Sequence, residues 1–515
     1  MHTCEALVRN SKFHADAIGF VEGEQKLSWG EMMVRVQGLA NGLRALGCRQ
    51  GEFIGMYVEN ALRVIEVTYA VQLIGCAIVP LNTRWMASEI SLAIEDAGIR
   101  VLVSDKRKDD VIEDIDAVVK SKLILVSDPR DSSVGKLVVY EDLIVPLGDS
   151  GFETIAPVEN AVASLFYTGG TTGRSKGVKL THANHVVHSM AVLAETGLNS
   201  TCRYLHAAPM FHIADALFLH VVSLRGAQHV ILPRFETAAF AAAIIEHAIT
   251  DTILVPTMIQ AIFNSDDIAD KAFSNLKRLY YGASPMPEVL MDKILERFPD
   301  LELVQLYGQT EASPVITILA PEYHNNEGKA RKRLKSAGRP MMATNVRIVS
   351  SSGDDLPVNG IGEIIVTGPQ VMDGYLNRPE ETAGALQGGW LHTGDVGYLD
   401  ADGFLYITDR VKDMIITGGE NVYSIEVEQV IYDLAGVAEC CVVGLPHEKW
   451  GEIVHAIVVP KPDFTLTEEM IKVHCKERLA DYKRPKTVAI RIEALPLSGA
   501  GKVLKRELRD IYKAD

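Results

Sequence analysis

Tyr167 to Val178 reads Y-T-G-G-T-T-G-R-S-K-G-V, and the rest of the chain is best read outward from it. Glycine and threonine in this density make a poor core element and a good phosphate cradle. Glycines let the main chain approach an anion closely with its N–H groups turned inward. Threonine hydroxyls add donors, and Lys176 adds a mobile positive charge. The apolar run Ala161–Phe166 predicts a strand entering the loop. Thr181-His-Ala-Asn184 predicts a helix start behind it, because Thr and Asn cap helices well. The stretch is not a Walker loop, where lysine directly follows the second glycine of G-x-x-x-x-G-K. Here Arg174 and Ser175 separate Gly173 from Lys176, so another nucleotide-handling architecture is required.

On either side of the loop the pattern alternates between helix and strand. Ser28 and Glu31 form a capping box ahead of an amphipathic run to about Leu46. A strand is predicted at 53–58, a helix at 61–74, a buried strand at 77–81, a helix at 87–97 and a strand at 101–104. Beyond the loop come a helix at 238–249, a strand at 252–255 and a helix at 287–297. Such alternation predicts α/β layers on mainly parallel strands. From Gly338 to Gly403 short β runs broken by Gly, Pro and Asp predict a small β-barrel or sheet. After the charged Asp409-Arg-Val-Lys-Asp413 an α+β module follows, with helices at 424–434 and 467–479. The expected architecture is a large N-terminal domain of layered α/β subdomains plus a small β-barrel, residues 1–411. A small mobile α+β C-terminal domain, residues 412–515, completes it.

The totals bound the function. A chain of 515 residues exceeds one core. Its net charge of −16 argues against nucleic-acid partners. Seven scattered cysteines without a C-x-x-C pair point to reduced thiols and a cytoplasmic setting. No signal peptide and no apolar run long enough to span a membrane is seen.

Four further clusters supply what an ATP site needs. Tyr307-Gly-Gln-Thr-Glu311 offers an aromatic face, a hydroxyl and a carboxylate. Magnesium takes oxygen ligands, usually one or two carboxylates with phosphate and water, and Glu311 is the candidate. Trp390-Leu-His-Thr-Gly-Asp395 predicts a turn whose carboxylate accepts hydrogen bonds from ribose. Arg410 either reinforces that sugar or pairs with Asp409 or Asp413. Gly499-Ala-Gly-Lys502 places a lysine on a loop of the last module. Each alone is more often a solvated charge.

Together, the phosphate loop, Y-G-Q-T-E, G-E-I-I-V-T-G-P, H-T-G-D-V-G, D-R-V-K-D-M-I-I-T-G-G-E-N-V and G-K-V-L-K-R make the chain resemble the acyl-adenylate-forming superfamily, from about Ser28 to Leu508. The superfamily includes acyl- and aryl-CoA ligases, luciferase and peptide-synthetase adenylation domains. Two departures occur: Gly169 stands where the family usually has serine, and Ser175 where it usually has proline. One lost neutral hydrogen bond is worth about 0.5–1.5 kcal/mol, too little to abolish nucleotide binding.

The resemblance implies an acid–thiol ligase using ATP, Mg2+ and coenzyme A. A carboxylate attacks the α-phosphorus of ATP to give acyl-AMP and pyrophosphate; a thiol then displaces AMP. By the same resemblance Lys502 is the adenylation lysine. Thr168, Gly169, Gly170, Thr171, Thr172, Gly173 and Lys176 hold phosphates, and Glu311 holds the metal. Gly282, Ala283, Ser284, Tyr307, Gly308, Gln309 and Thr310 flank the nucleotide, while Asp395 and Arg410 fix the ribose. His212 in P-M-F-H, with Tyr281, Gly282, Gly308 and Ser313, is placed at the acyl pocket. Lys412 matches the hinge of the C-terminal domain, and Gly418, Gly419, Glu420 and Asn421 match the CoA tunnel. Amino-acid adenylation domains usually carry an aspartate after that phenylalanine, so His212 disfavours amino acids. The expected substrate is a medium- or long-chain fatty acid, then a cinnamate- or benzoate-type acid; the thiol of a carrier protein is an alternative acceptor. Family members are often monomers or homodimers.

Overall fold

The computed structural model describes residues 1–105, 109–129, 135–144, 160–168, 175–410, 412–418, 420–462, 464–497 and 503–513. Its first large sheet has eight strands, in spatial order Gly374–Tyr375, Lys176–Thr181, Val162–Thr168, Ala77–Pro80, Phe53–Tyr57, Val101–Ser104, Ile124–Ser127 and Lys136–Val139. From Val162–Thr168 to the last strand all pairs are parallel, and Lys176–Thr181 folds back as a hairpin. The second has nine strands, ordered Arg339–Pro340, Val315–Leu319, Glu302–Gly308, Arg278–Gly282, Asp251–Leu254, Arg203–His206, Gln228–Ile231, Ile18–Glu22 and Gln25–Ser28. Its middle is parallel and its edges antiparallel.

Helices fill the layer between these sheets. Ser28 caps the helix Trp29–Ala45 as its sequence predicts: Glu31 N donates to Ser28 Oγ at 3.1 Å and Ser28 N to Glu31 Oε2 at 2.7 Å. In the helix Leu62–Leu73 every residue but Arg63 is buried. One apolar cluster joins it to Trp29 and Leu39, to Ile54 and Val103 of the first sheet, and to Phe20 and Ile231 of the second. Each such side chain contributes about 1.5–3 kcal/mol on burial, which binds the two sheets into one body.

The third sheet comprises Asn345–Val349, Gly362–Thr367, Trp390–Leu399, Leu386–Gln387 and Leu405–Arg410, all antiparallel. It shares a core with Phe166, Val178 and Leu180 beside the glycine–threonine stretch. The fourth, at the C-terminal end, holds Glu420–Val422, Ile415–Thr417, Gly451–Pro460 and Val437–His447, with Thr487–Ile490 parallel to Gly451–Pro460. It packs on helices Ser424–Tyr432 and Glu468–Lys476. The expected helices and strands recur within a few residues of their predicted bounds. All seven cysteines are buried free thiols. No helix among the described residues is long and apolar enough to cross a membrane.

Candidate active site

The strands Val162–Thr168, Arg278–Gly282 and Glu302–Gly308, each with a parallel neighbour in its own sheet, carry the expected site residues at their ends, where ligands of α/β sheets gather. Val162–Thr168 and Lys176–Thr181 pair until Thr168 faces Lys176. Both ends of the glycine–threonine stretch are therefore anchored at the tip of the first sheet. Gly169, Gly170, Thr171, Thr172 and Gly173 lie outside the described residues, as does Lys502. The chain on either side of Lys502 is placed, with Leu497 bridging Val503 and Leu504 N donating to Pro496 O at 2.9 Å.

The strands Arg278–Gly282 and Glu302–Gly308 belong to the second sheet. Ala283 and Ser284 follow the first, Ala283 with φ 67°. After the second, Gln309 leads into a short turn, Thr310–Ala312, that carries Glu311. Glu311 is half-buried, and its Oε1 accepts the Tyr375 hydroxyl at 2.8 Å. The Tyr375 ring lies under Lys176, whose Nζ is 5.0 Å from the ring centroid. Burial, followed by the Glu311 carboxylate, raises the Tyr375 pKa, so the phenol keeps its proton. Lys176 and the acidic turn are thus tied together by a tyrosine that sequence reasoning missed. Its signal was present in G-Y-L-N-R-P, ahead of H-T-G-D.

Four residues before Glu311, the Tyr307 hydroxyl donates to Asp395 Oδ2 at 2.7 Å. Arg410 Nε stands 3.3 Å from Asp395 Oδ1, which settles its partner as Asp395 rather than Asp409 or Asp413. Burial and the neighbouring carboxylate raise the Tyr307 pKa. The turn expected at Asp395 is instead the interior of a strand, Trp390–Leu399, distorted at Gly394 with φ 70°. Pairing with Gly362–Thr367 on one side and Leu405–Arg410 on the other keeps it extended. Glu363 holds the distortion by accepting from His392 Nδ1 at 2.8 Å and Gly394 N at 3.2 Å. Asp409 turns away: its carboxylate accepts the Ser424 N–H and hydroxyl. Ser424 Oγ in turn accepts from the half-buried Lys505, which also pairs with Glu428 at 2.7 Å.

The residues expected at the acyl pocket lie on several elements. Half-buried His212 stands at the N-cap of the helix Ile213–Arg225. That helix is pinned from below by a buried chain that sequence reasoning also missed. Asp215 Oδ1 meets His206 Nδ1 at 2.9 Å, His206 Nε2 meets His229 Nδ1 at 3.0 Å, and His229 Nε2 meets Ser223 Oγ at 3.0 Å. Tyr69 donates to the same Ser223 hydroxyl at 2.8 Å. A Cβ on Gly282 would lie 2.1 Å from Leu306 O, and one on Gly308 would lie 1.9 Å from Pro314 O. Those glycines are required by close packing of main chain, and the space they leave is filled. Tyr281 is fully buried with its hydroxyl 2.9 Å from His324 Nε2, and the buried Ser313 donates to Gln370 O at 2.7 Å.

In the last module Thr417 pairs with Glu420, so Gly418 stands in the connection of a tight hairpin, with φ 60°. Its N–H donates to Trp450 O at 2.8 Å, and a Cβ would meet the Trp450 ring at 3.0 Å. Glu420, Asn421 and Lys412 are exposed; Gly419 lies outside the described residues.

This donor set fits a nucleotide-borne magnesium ion. Among the described residues no group of three His, Cys, Asp or Glu side chains forms a metal cage. A half-buried carboxylate with one oxygen already hydrogen-bonded leaves the other for a hard cation completed by phosphate and water.

Comparison with known proteins agrees. The AMP-binding enzyme family matches residues 7–376, and the AMP-binding enzyme C-terminal domain matches residues 426–502. The chain belongs to the AMP-binding enzyme family. It is 36% identical over 507 residues to a feruloyl-CoA synthase of Amycolatopsis sp, covering 98% of this chain and 97% of that one. It is 34% identical to the medium/long-chain-fatty-acid–CoA ligase FadD8 of Mycobacterium tuberculosis, covering 99% and 90%. The o-succinylbenzoate coenzyme A synthetase of Bacillus subtilis, solved with ATP and magnesium, superposes with a TM-score of 0.83 at 28% identity, covering 98% and 99%. The chain is accordingly an AMP-forming acid–CoA ligase that works through an acyl-adenylate, with ATP, magnesium and CoA as its small-molecule partners.

Proposed function

We propose that this enzyme joins an aromatic acid of the cinnamate type to CoA. The observation that carries the adenylation chemistry is one turn, Tyr307–Glu311. Through Tyr307 it reaches the Asp395–Arg410 pair, and through Glu311 it reaches Tyr375 and Lys176. A sugar site and a phosphate site are thereby held at the two ends of a single short segment. Asp395 accepts the ribose hydroxyls and Arg410 backs them. Lys176 with Thr168 holds the outer phosphates. Glu311 would hold magnesium, which when bound would supply positive charge against the phosphates. Lys502 bridges the substrate carboxylate and the α-phosphate, where negative charge develops. The domain beyond Lys412, residues 412–515, then turns to present Gly418, Gly419, Glu420 and Asn421 to the pantetheine arm. Closure makes thiol attack effectively unimolecular.

Two facts support the aromatic reading: the feruloyl-CoA synthase likeness over the whole length, and the main-chain carbonyls that fill the space behind Gly282 and Gly308. In this reading Tyr281 and Ser313 stand behind those strands as supports of the pocket. A medium- or long-chain fatty acid is the second reading, favoured by the likeness to FadD8. The enzyme acts as a monomer or homodimer in a reducing, cytoplasmic setting, which the free buried thiols support. Pyrophosphate release measured across cinnamates, benzoates, fatty acids and amino acids, with CoA or a carrier protein as acceptor, tests this. Cinnamates with CoA should turn over fastest; a fatty acid ahead of every aromatic acid would reverse the order.

A further inference from the structure

We propose that Tyr375 is a positioning residue for adenylation, orienting the Glu311 carboxylate toward the metal while its ring steadies Lys176. The inference rests on the reading of Glu311 as the magnesium carboxylate. Three separate segments lock the tyrosine in place. Tyr375 pairs with Val178 and Gly374 with Lys179, and Leu376 N donates to Gly177 O at 2.8 Å, so the residue is stitched to the strand that begins at Lys176. Met372 N donates to Glu311 O at 2.9 Å, which fixes the same stretch to the acidic turn. Tyr375 N donates to Thr382 Oγ1 at 2.9 Å, closing the third side.

The main chain at Tyr375 is therefore held from three sides, and its side chain reaches Glu311 and Lys176 from a fixed root. A phenol donating to Oε1 engages that oxygen and restrains rotation of the carboxylate, leaving Oε2 to face a cation. Magnesium demands near-ideal octahedral geometry, so a carboxylate already turned to present one oxygen loses less rotational freedom on coordination. The ring does comparable work for the ammonium, since a cation about 5 Å from an aromatic face is attracted to it. One residue thus couples the metal ligand to the phosphate lysine across two segments more than a hundred residues apart in the chain.

The test uses the full chain with the non-hydrolysable α,β-methylene analogue of ATP and Mn2+ as an EPR-visible stand-in for magnesium. Tyr375→Phe keeps the ring and removes the donor. It should weaken Mn2+·nucleotide binding by roughly 10- to 150-fold, the range of one hydrogen bond to a charged group. Thioester formation from preformed acyl-AMP should stay unchanged. Tyr375→Met, which keeps apolar bulk in the core, should lose the same metal affinity and in addition weaken metal-free nucleotide binding through Lys176. Wild-type Mn2+ affinity in both variants, with Glu311→Gln weakened, would overturn the role of Tyr375 alone. Unchanged Mn2+ affinity in Glu311→Gln would overturn the metal site itself.

Discussion

Replacing Asp395 by Asn tests the ribose site at its centre. The Asp395 side chain is 10% exposed, accepts the Tyr307 hydroxyl at 2.7 Å, and lies 3.3 Å from Arg410. Asparagine has the same shape and can still accept from Tyr307, so the fold loses little; Arg410 is 43% exposed and gains water when its partner becomes neutral. What changes is the charge on the acceptor offered to the sugar. A hydrogen bond to a charged group is worth about 1.5–3 kcal/mol. At about 1.4 kcal/mol per factor of ten, ATP affinity should fall roughly 10- to 150-fold. Calorimetric titration of wild type and Asp395→Asn with ATP and with 2′-deoxy-ATP resolves the cause. Wild type should discriminate strongly against the deoxy nucleotide, and the variant should discriminate much less. Equal discrimination by both proteins would show that the carboxylate does not hold that hydroxyl and would refute the placement of the ribose.

Lys502→Ala should abolish acyl-AMP formation yet spare thioester formation from preformed acyl-AMP, and equal loss of both steps would contradict its assigned task. Lys412→Pro should do the reverse, because a proline-fixed φ restrains the hinge; pyrophosphate exchange against ATP reads the first step by itself. Acid should destabilise the large domain through its buried imidazoles. Burial lowers the pKa of His188 and of His220 to about 3, whereas the unfolded chain binds protons near pH 6.5. Between those values the unfolded state holds the extra protons, so stability falls as pH drops. Each histidine contributes about 1.4 kcal/mol per pH unit there, and urea midpoints at pH 7.5 and 5.5 measure the slope.

Much of this was legible in one dimension because local rules carry it. The capping box at Ser28–Glu31 and the helix start at Thr181 formed as written, and so did the strand entering the glycines at Val162–Thr168, since cap chemistry and hydrophobic period act over a few residues. Asp395 was placed in the right cluster but in the wrong local structure. A glycine beside an aspartate favours a turn until two flanking strands claim its hydrogen bonds. That Gly282 and Gly308 each face a main-chain carbonyl, Leu306 O and Pro314 O, which only a missing side chain admits, is a matter of tertiary packing that no local pattern announces.

Residue types and their order along the chain were enough to point to the chemistry as a set: a phosphate cradle, a metal carboxylate, a sugar carboxylate and a lysine, none of them decisive alone. Which of these groups hold one another was written only in three dimensions. Tyr375 meets Glu311, Tyr307 meets Asp395 and His206 joins Asp215 to His229 because sheet pairing delivers distant segments to one another. No local pattern encodes that delivery, since its driving force is the burial shared by both sheets.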